Sequence, residues 1–251
     1  MKPYKIYTLY YGARPSDTSQ YLEGDTEAKP ITAAYYMWLA TNGEEHVIID
    51  LGYNREVGSR RDRQIIAEPA ELFDRVKVDP KTVKHAIVTH LHWDHSGNYA
   101  LFPNARFYLQ EKEMAFWNSS EIADWKAAVE EDDLIAMVRL HFNGRLGLCQ
   151  PVQEIVPGIT VHHVGGHTRG IQVVEVATEK GTAVVASDAV KLYRNLAENR
   201  PSPKTQHVPE MMEGFKLVRS LAAAEELVLP GHDVTVMDRL PQVADNVVVA
   251  G

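Results

Sequence analysis

The apolar run 86–89 is followed at once by His90-Leu91-His92-Trp93-Asp94-His95, so four ligand-type side chains fall within six residues. A strand ending in such a cluster restricts the fold. Imidazoles and carboxylates this dense must sit where they can share a cation and where other segments can complete its coordination. In a locally extended turn His90 and His92 point to one side, while Asp94 and His95 can turn toward a second centre. Three further segments repeat the arrangement: His167 follows the run 159–164 through Gly165-Gly166, Asp188 follows 182–186, and His232 follows 227–229 through Pro230-Gly231. Each stands just past the carboxyl end of an apolar run, where loops of an α/β sheet gather and ligands bind. His46, His85, His141, His162, His163 and His207 lack that context and read as surface or satisfied core residues.

Apolar, β-rich runs at 33–40, 47–49, 86–89, 106–109, 159–164, 171–176, 182–186 and 227–229 alternate with stretches of helical period at 64–76, 120–141 and 209–224. Interleaved strands and helices predict α/β layering. Within 120–141, the residues Ile122, Trp125, Val129, Leu134, Met137 and Val138 recur at roughly helical spacing and form one apolar stripe of a helix. The polar, turn-rich stretch 15–30 reads as a surface loop of a length that often covers a site. No repeat, low-complexity tract or Pro/Gly/Ser linker divides the chain, so 1–251 reads as a single domain with 111–148 as a helical insertion.

Bulk properties exclude several classes. Acidic residues outnumber basic ones by 34 to 26 and the formal charge is -8, which disfavours a nucleic-acid partner. The only obvious basic run, Arg60-Arg61-Asp62-Arg63, reads as a solvated loop or helix start. No apolar run approaches the roughly eighteen residues of a membrane span, and the first residues lack a secretory apolar core. A cytoplasmic location without membrane partners is therefore expected, with a homodimer allowed. The single cysteine, Cys149, cannot close an intrachain disulfide and reads as a semi-buried spacer.

The string Thr89-His90-Leu91-His92-Trp93-Asp94-His95 matches the T-H-x-H-x-D-H signature of the metallo-β-lactamase superfamily, and Gly166-His167-Thr168, Ser187-Asp188 and Pro230-Gly231-His232-Asp233 resemble its remaining motifs in order. That resemblance implies an α/β fold of four layers, an αββα sandwich with two metal ions at one edge of its sheets. It assigns His90, His92 and His167 to one ion, Asp94, His95 and His232 to the other, and Asp188 as a bridge. Zinc is expected; iron, manganese and cobalt also suit N and O donors. Ile48-Ile49-Asp50-Leu51-Gly52 resembles the superfamily's early strand motif, and Asp50 reads either as a carboxylate behind the ligands or as a turn cap.

Within the superfamily the chain is most similar to N-acyl-homoserine lactonases and related lactone hydrolases. The likeness rests on length, on the aromatic-rich opening, on the strings 164–170 and 186–189, and on the forty-four positions between Asp188 and His232. It implies a small-molecule substrate, a lactone whose carbonyl is attacked by a metal-bridging hydroxide, with Asp94 carrying the proton to the leaving alkoxide. One departure stands out: where those lactonases carry a tyrosine three residues after the bridging aspartate, this chain has Lys191, and Tyr193 lies two further on. Either Tyr193 or Lys191 can take the carbonyl-positioning role, and Tyr193 is the expected catalytic partner of Asp94. Met114, Phe116, Trp117 and Phe142 are candidates for an acyl pocket, and Lys191, Arg194 and Arg200 for a carboxylate contact. The alternatives are a thioester hydrolase of the glyoxalase II type, disfavoured by the nineteen residues after His232, and a non-catalytic metal-binding sensor of the same fold.

Overall fold

The computed structural model describes residues 2–251. Its strands are β1 (Lys5–Asp17), β2 (Pro30–Thr41), β3 (His46–Ile49), β4 (Gln64–Ile65), β5 (His85–Ile87), β6 (Arg106–Gln110), β7 (Leu146–Cys149), β8 (Val152–Val156), β9 (Ile159–His163), β10 (Gln172–Thr178), β11 (Gly181–Ser187), β12 (Val228–Pro230), β13 (Gln242–Ala244) and β14 (Val247–Ala250). The helices are α1 (Arg55–Arg60), α2 (Pro69–Arg75), α3 (Glu111–Trp117), α4 (Glu131–Phe142), α5 (Tyr193–Ala197), α6 (Val208–Leu221) and α7 (Val236–Arg239).

Two sheets result. One runs β13-β14-β1-β2-β3-β5-β6-β7, with β4 paired to β1, and the other runs β12-β11-β10-β9-β8. Strand alternation explains their stacking, because successive side chains face opposite sides and both sides are apolar. On β2, Ala34, Tyr36, Trp38 and Ala40 join Val161, Val174, Val185 and Leu229 in a core between the sheets. The intervening Tyr35, Met37 and Leu39 pack with Leu72, Phe73, Trp117 and Met137, so helices cover the outer face of the first sheet. On β11, Val184 and Ala186 turn outward against Met211, Phe215 and Val218 of α6. The order helix, sheet, sheet, helix is the expected four-layer sandwich.

Parallel pairing aligns the functional ends. β3 and β5 are parallel neighbours in one sheet, as are β11 and β12 in the other. The chain therefore leaves their carboxyl ends side by side, at residues 50, 88–95, 188 and 231–232. A backbone hydrogen bond from Gln172 N to Thr89 O (3.0 Å) ties the two sheets at that edge.

Local structure departs from the sequence expectations in three places. The stretch 64–76 is not one helix: Gln64 and Ile65 pair with β1, and Pro69, whose fixed φ suits a first helical residue, starts α2 only afterwards. The stretch 120–141 forms two short 3-10 turns before α4, because the Ala128 carbonyl accepts Trp93 N of the histidine loop at 2.9 Å rather than continuing a helical ladder. The stretch 15–30 is partly strand, since β1 stays paired with β2 as far as Asp17 opposite Pro30, and the connecting loop is correspondingly shorter. Of the six histidines set aside, His85 contacts the Tyr108 hydroxyl (2.9 Å), His162 meets Glu175 (2.7 Å) and His207 caps α6.

Asp133, in the first turn of α4, is buried among Glu130 and Asp132, and burial with those charges pushes its pKa up to about 7. Its proton is held more tightly in the folded chain than in the unfolded one. Stability from this group is therefore fully present below its unfolded value near 4 and is lost as pH rises through about 7. Asp133→Asn is expected to raise Tm at pH 8 by roughly 3 °C, with the gain shrinking as pH falls toward about 5, in thermal melts across that range.

Candidate metal centre

The structure brings together His90, His92, His167 and Asp188 as one buried donor group and Asp94, His95 and His232 as a second. Asp188 spans them. Its Oδ2 lies 3.1 Å from His167 Nε2, while its Oδ1 lies 2.9 Å from His232 Nε2 and 3.3 Å from His95 Nε2. His92 Nδ1 is 2.9 Å from His167 Nε2, and Asp94 Oδ2 is 3.5 Å from His95 Nε2. Donor spacings of this size match the edges of a polyhedron around an ion with bonds of about 2.1 Å, whose tetrahedral edge is roughly 3.4 Å.

Unpaired atoms make the same point. His90 Nε2, His95 Nε2 and Asp188 Oδ1 are buried without a hydrogen-bond partner among the described residues. Buried polar atoms are seldom left so, and a cation satisfies all three. The residues present therefore fit two divalent ions.

The far sides of the imidazoles are held by acceptors that fix the tautomer. His95 Nδ1 donates to Asp50 Oδ2 (2.7 Å), His167 Nδ1 to the Lys204 carbonyl (2.8 Å), and His232 Nδ1 to the Ala34 carbonyl (2.9 Å). Ala34 N returns a bond to the His232 carbonyl at 3.0 Å, which fastens that loop to β2. Thr89 gives its hydroxyl proton to Asp50 and so accepts from His90 Nδ1 (3.1 Å). Asp50 is a hub behind the ligands: its fully buried carboxylate accepts from Thr89 N (2.7 Å), Thr89 Oγ1 (2.9 Å), Ser187 Oγ (2.9 Å) and His95.

Electrostatics agree with ligation. Burial, with mutual repulsion among the imidazoles, holds the pKa of His90 and His92 well below the usual value, which keeps them in the neutral, metal-binding form. Burial alone would raise Asp188, but His232, Lys191, His95 and His167 outweigh it and keep the group ionised. Gly231 makes the bridge position available, since a Cβ there would stand 2.7 Å from Asp188 Oδ1.

A cavity of about 430 Å³ opens over the centre. Asp94 and Asp188 lie on its floor; Tyr21, Tyr35, Trp93 and Trp125 contribute aromatic walls. The loop after β1 reaches it through Gln20 and Tyr21, and the 120–128 turns through Asp124 and Trp125. Lys191 lines it, with Nζ 3.1 Å from Asp188 Oδ2. Tyr193 does not: it is buried in the inter-sheet core, with the Arg239 guanidinium 3.9 Å from its ring centroid and its hydroxyl unpartnered among the described residues. None of Met114, Phe116, Trp117 and Phe142 lines the cavity; Phe116 and Trp117 are core, and Phe142 is exposed. Arg194 and Arg200 both pair with Glu198 instead. Cys149 is buried, and burial pushes its thiol up to about 11, leaving it inert.

Sequence reasoning missed Glu113. This fully buried carboxylate accepts from Leu91 N (3.0 Å), Trp117 Nε1 (2.8 Å), Thr168 Oγ1 (2.6 Å) and Gly170 N (2.9 Å). It thereby clamps the loop of His90 and His92 to that of His167. Gly170 permits the approach, because a Cβ there would stand 2.0 Å from Glu113 N. No local pattern marks the residue, since three of its four contacts are long-range.

Comparison with known proteins follows the same lines. The pattern of the metallo-beta-lactamase superfamily matches residues 31–237, and the chain belongs to that superfamily. An N-acyl homoserine lactonase of Bacillus thuringiensis is 23% identical over 248 residues, covering 92% of this chain and 93% of the relative. One from Bacillus cereus is 22% identical over 245 residues, with the same coverage. Among solved structures, an N-acyl homoserine lactone hydrolase with N-hexanoyl-L-homoserine at its catalytic metal centre superposes with a TM-score of 0.77 at 18% identity, covering 95% of this chain and 96% of that one. The dizinc quorum-quenching lactonase AidC gives 0.70 at 14% identity over 92% of this chain and 88% of its own.

Glu113→Ala strands its four donors. It is expected to weaken metal binding about 10–100-fold, measured by chelator competition with elemental analysis, while Glu113→Gln retains part of the affinity.

Proposed function

We propose that the protein is a dinuclear-metal hydrolase that opens a small lactone, an N-acyl-homoserine lactone or a related ring, at its carboxylic ester bond. The observation that carries this is Asp188 reaching both donor groups beneath an open cavity. His90, His92 and His167 hold one ion, Asp94, His95 and His232 the other, and Asp188 both. When bound, such a pair supplies an activated water and Lewis-acid stabilisation of the carbonyl oxygen.

The chain's own residues supply the rest. Asp94 lines the cavity and moves the proton from the attacking water to the leaving alkoxide at its carboxylate. Lys191, rather than Tyr193, takes the carbonyl-positioning role: its ammonium lines the cavity, whereas the tyrosine hydroxyl points into the core. The aromatic walls exclude water around the reacting bond. Similarity to lactonases over nearly the full length supports the lactone over a thioester. The presence of all seven ligands supports an enzyme over a sensor.

The reading includes zinc as the resident metal, supported by the all-His/Asp donor set and by the dizinc neighbour. It also includes one domain over 1–251, whose 111–148 segment walls the cavity, and a cytoplasmic setting without nucleic-acid or membrane partners. Among the described residues no helix is long and apolar enough to cross a membrane. A homodimer is compatible with this reading.

A lactone panel read as acid release with metal-loaded protein tests it; two equivalents of metal without hydrolysis of any lactone or ester defeats it. Asp94→Asn is expected to lower kcat about 10²–10⁴-fold. Lys191→Met should lower kcat about 10²-fold with both metals retained, and Tyr193→Phe should change kcat less than about threefold. The reverse ranking of Lys191 and Tyr193 would return the positioning role to the tyrosine.

A further inference from the structure

The cavity over the metals is cationic in a chain that is acidic overall. Arg14, Arg61, Arg63, Lys191 and Lys204 line it against three carboxylates, Asp94, Asp124 and Asp188. Two of those carboxylates are metal donors, and two divalent ions more than offset them. Lys191 is occupied by Asp188 and Arg61 by Glu130 (2.6 Å), but Arg14, Arg63 and Lys204 form no ion pair among the described residues. With a formal charge of -8, composition does not account for this concentration.

These side chains are held rather than waving in solvent. The Arg61 and Arg63 guanidiniums lie 4.8 Å and 5.5 Å from the Trp93 ring centroid, next to ligand Asp94. Arg63 Nη1 donates to the carbonyls of Arg61 and Asp62 (3.0 Å to the latter), and Arg14 Nη2 to Gln20 and Ser16 (3.2 Å to the latter). The Nε atoms of both arginines are buried without an acceptor among the described residues. Lys204 is anchored by its carbonyl, which accepts from the metal ligand His167. No carboxylate neutralises these three cations at the cavity wall among the described residues, and the planar guanidinium fork suits carboxylate and phosphate oxygens. A neutral acyl chain offers them nothing.

We propose that the substrate carries an anionic oxygen group, a carboxylate or a phosphate, remote from its reactive carbonyl, and that Arg14, Arg63 and Lys204 receive it; this rests on the hydrolase reading above. The aromatic walls then hold the body of the molecule between the metals and the cationic rim. Specificity therefore comes from the end of β1 and from the loops after α1 and before α6, while the metal ligands set the chemistry.

The test compares three homoserine lactones matched in chain length: N-hexanoyl, N-adipoyl with a terminal carboxylate, and N-(5-phosphonopentanoyl). For the metal-loaded wild type, kcat/KM for at least one anionic probe should exceed that for the hexanoyl probe by about tenfold, and added salt should compress the ratio. Which anion wins identifies the group. The double variant Arg14→Met/Arg63→Met should bring the ratio close to one, and Lys204→Met, should the double variant misfold, should reduce it about threefold. A ratio at or below one in the wild type overturns the proposal and leaves the lactonase reading intact. If no probe is hydrolysed, the homoserine-lactone part of the reading falls and calorimetric affinities for the intact probes decide the anion site separately: tighter binding of an anionic probe upholds it, and equal binding overturns it.

Discussion

Three carboxylates buried at one seam set the terms for this molecule. Asp50, Asp94 and Asp188 are 0%, 7% and 2% exposed, and all lie where the two sheets meet. Ionised carboxylates are expensive to remove from water unless they are hydrogen-bonded and compensated by positive charge. Asp50 obtains its compensation from backbone, hydroxyl and imidazole donors. Asp94 and Asp188 face imidazole nitrogens whose inward atoms have no other use, so a pair of cations is the arrangement that leaves least unsatisfied. The turn glycine before His232, the clamp at Glu113 and the returned bond from Ala34 all serve to keep these groups in register.

Division of labour follows from this layout. The sheets are packed on both faces, and their stiffness fixes the floor of the cavity through strand ends that neighbour one another by parallel pairing. The walls come from connecting segments: the β1–β2 loop, the turn after α1, and the 3-10 turns before α4. A frame of this kind can keep one hydrolytic chemistry while its loops are remodelled for different molecules. Trp93 joins the two levels, since it sits in the ligand loop, donates its backbone N–H to Ala128 and stacks beneath two arginines.

Much of the fold was legible because alternation and strand-end ligands are local signals. The buried strands β2, β3, β5, β9, β10, β11 and β12 coincide with apolar runs, and α6 with its periodicity. Errors fell where tertiary contacts overrode local pattern: the stripe 120–141 carries helical spacing, yet the demand of Trp93 N for the Ala128 carbonyl breaks it. Likewise 15–30 reads polar because β1 ends on an exposed ribbon, and its pairing with β2 is invisible without the partner.

By itself, the sequence marked seven candidate donor residues, their place after strands and the layered α/β class, because each is written in short-range order. Only the tertiary structure decided that Asp50 stands behind the ligands and not in a turn cap alone, that Glu113 clamps two loops, and that Lys191 faces the cavity while Tyr193 faces the core. It also drew Arg14, Arg63 and Lys204, far apart in the chain, to one rim. Those facts depend on contacts between distant segments, which are not fixed until the two sheets have packed.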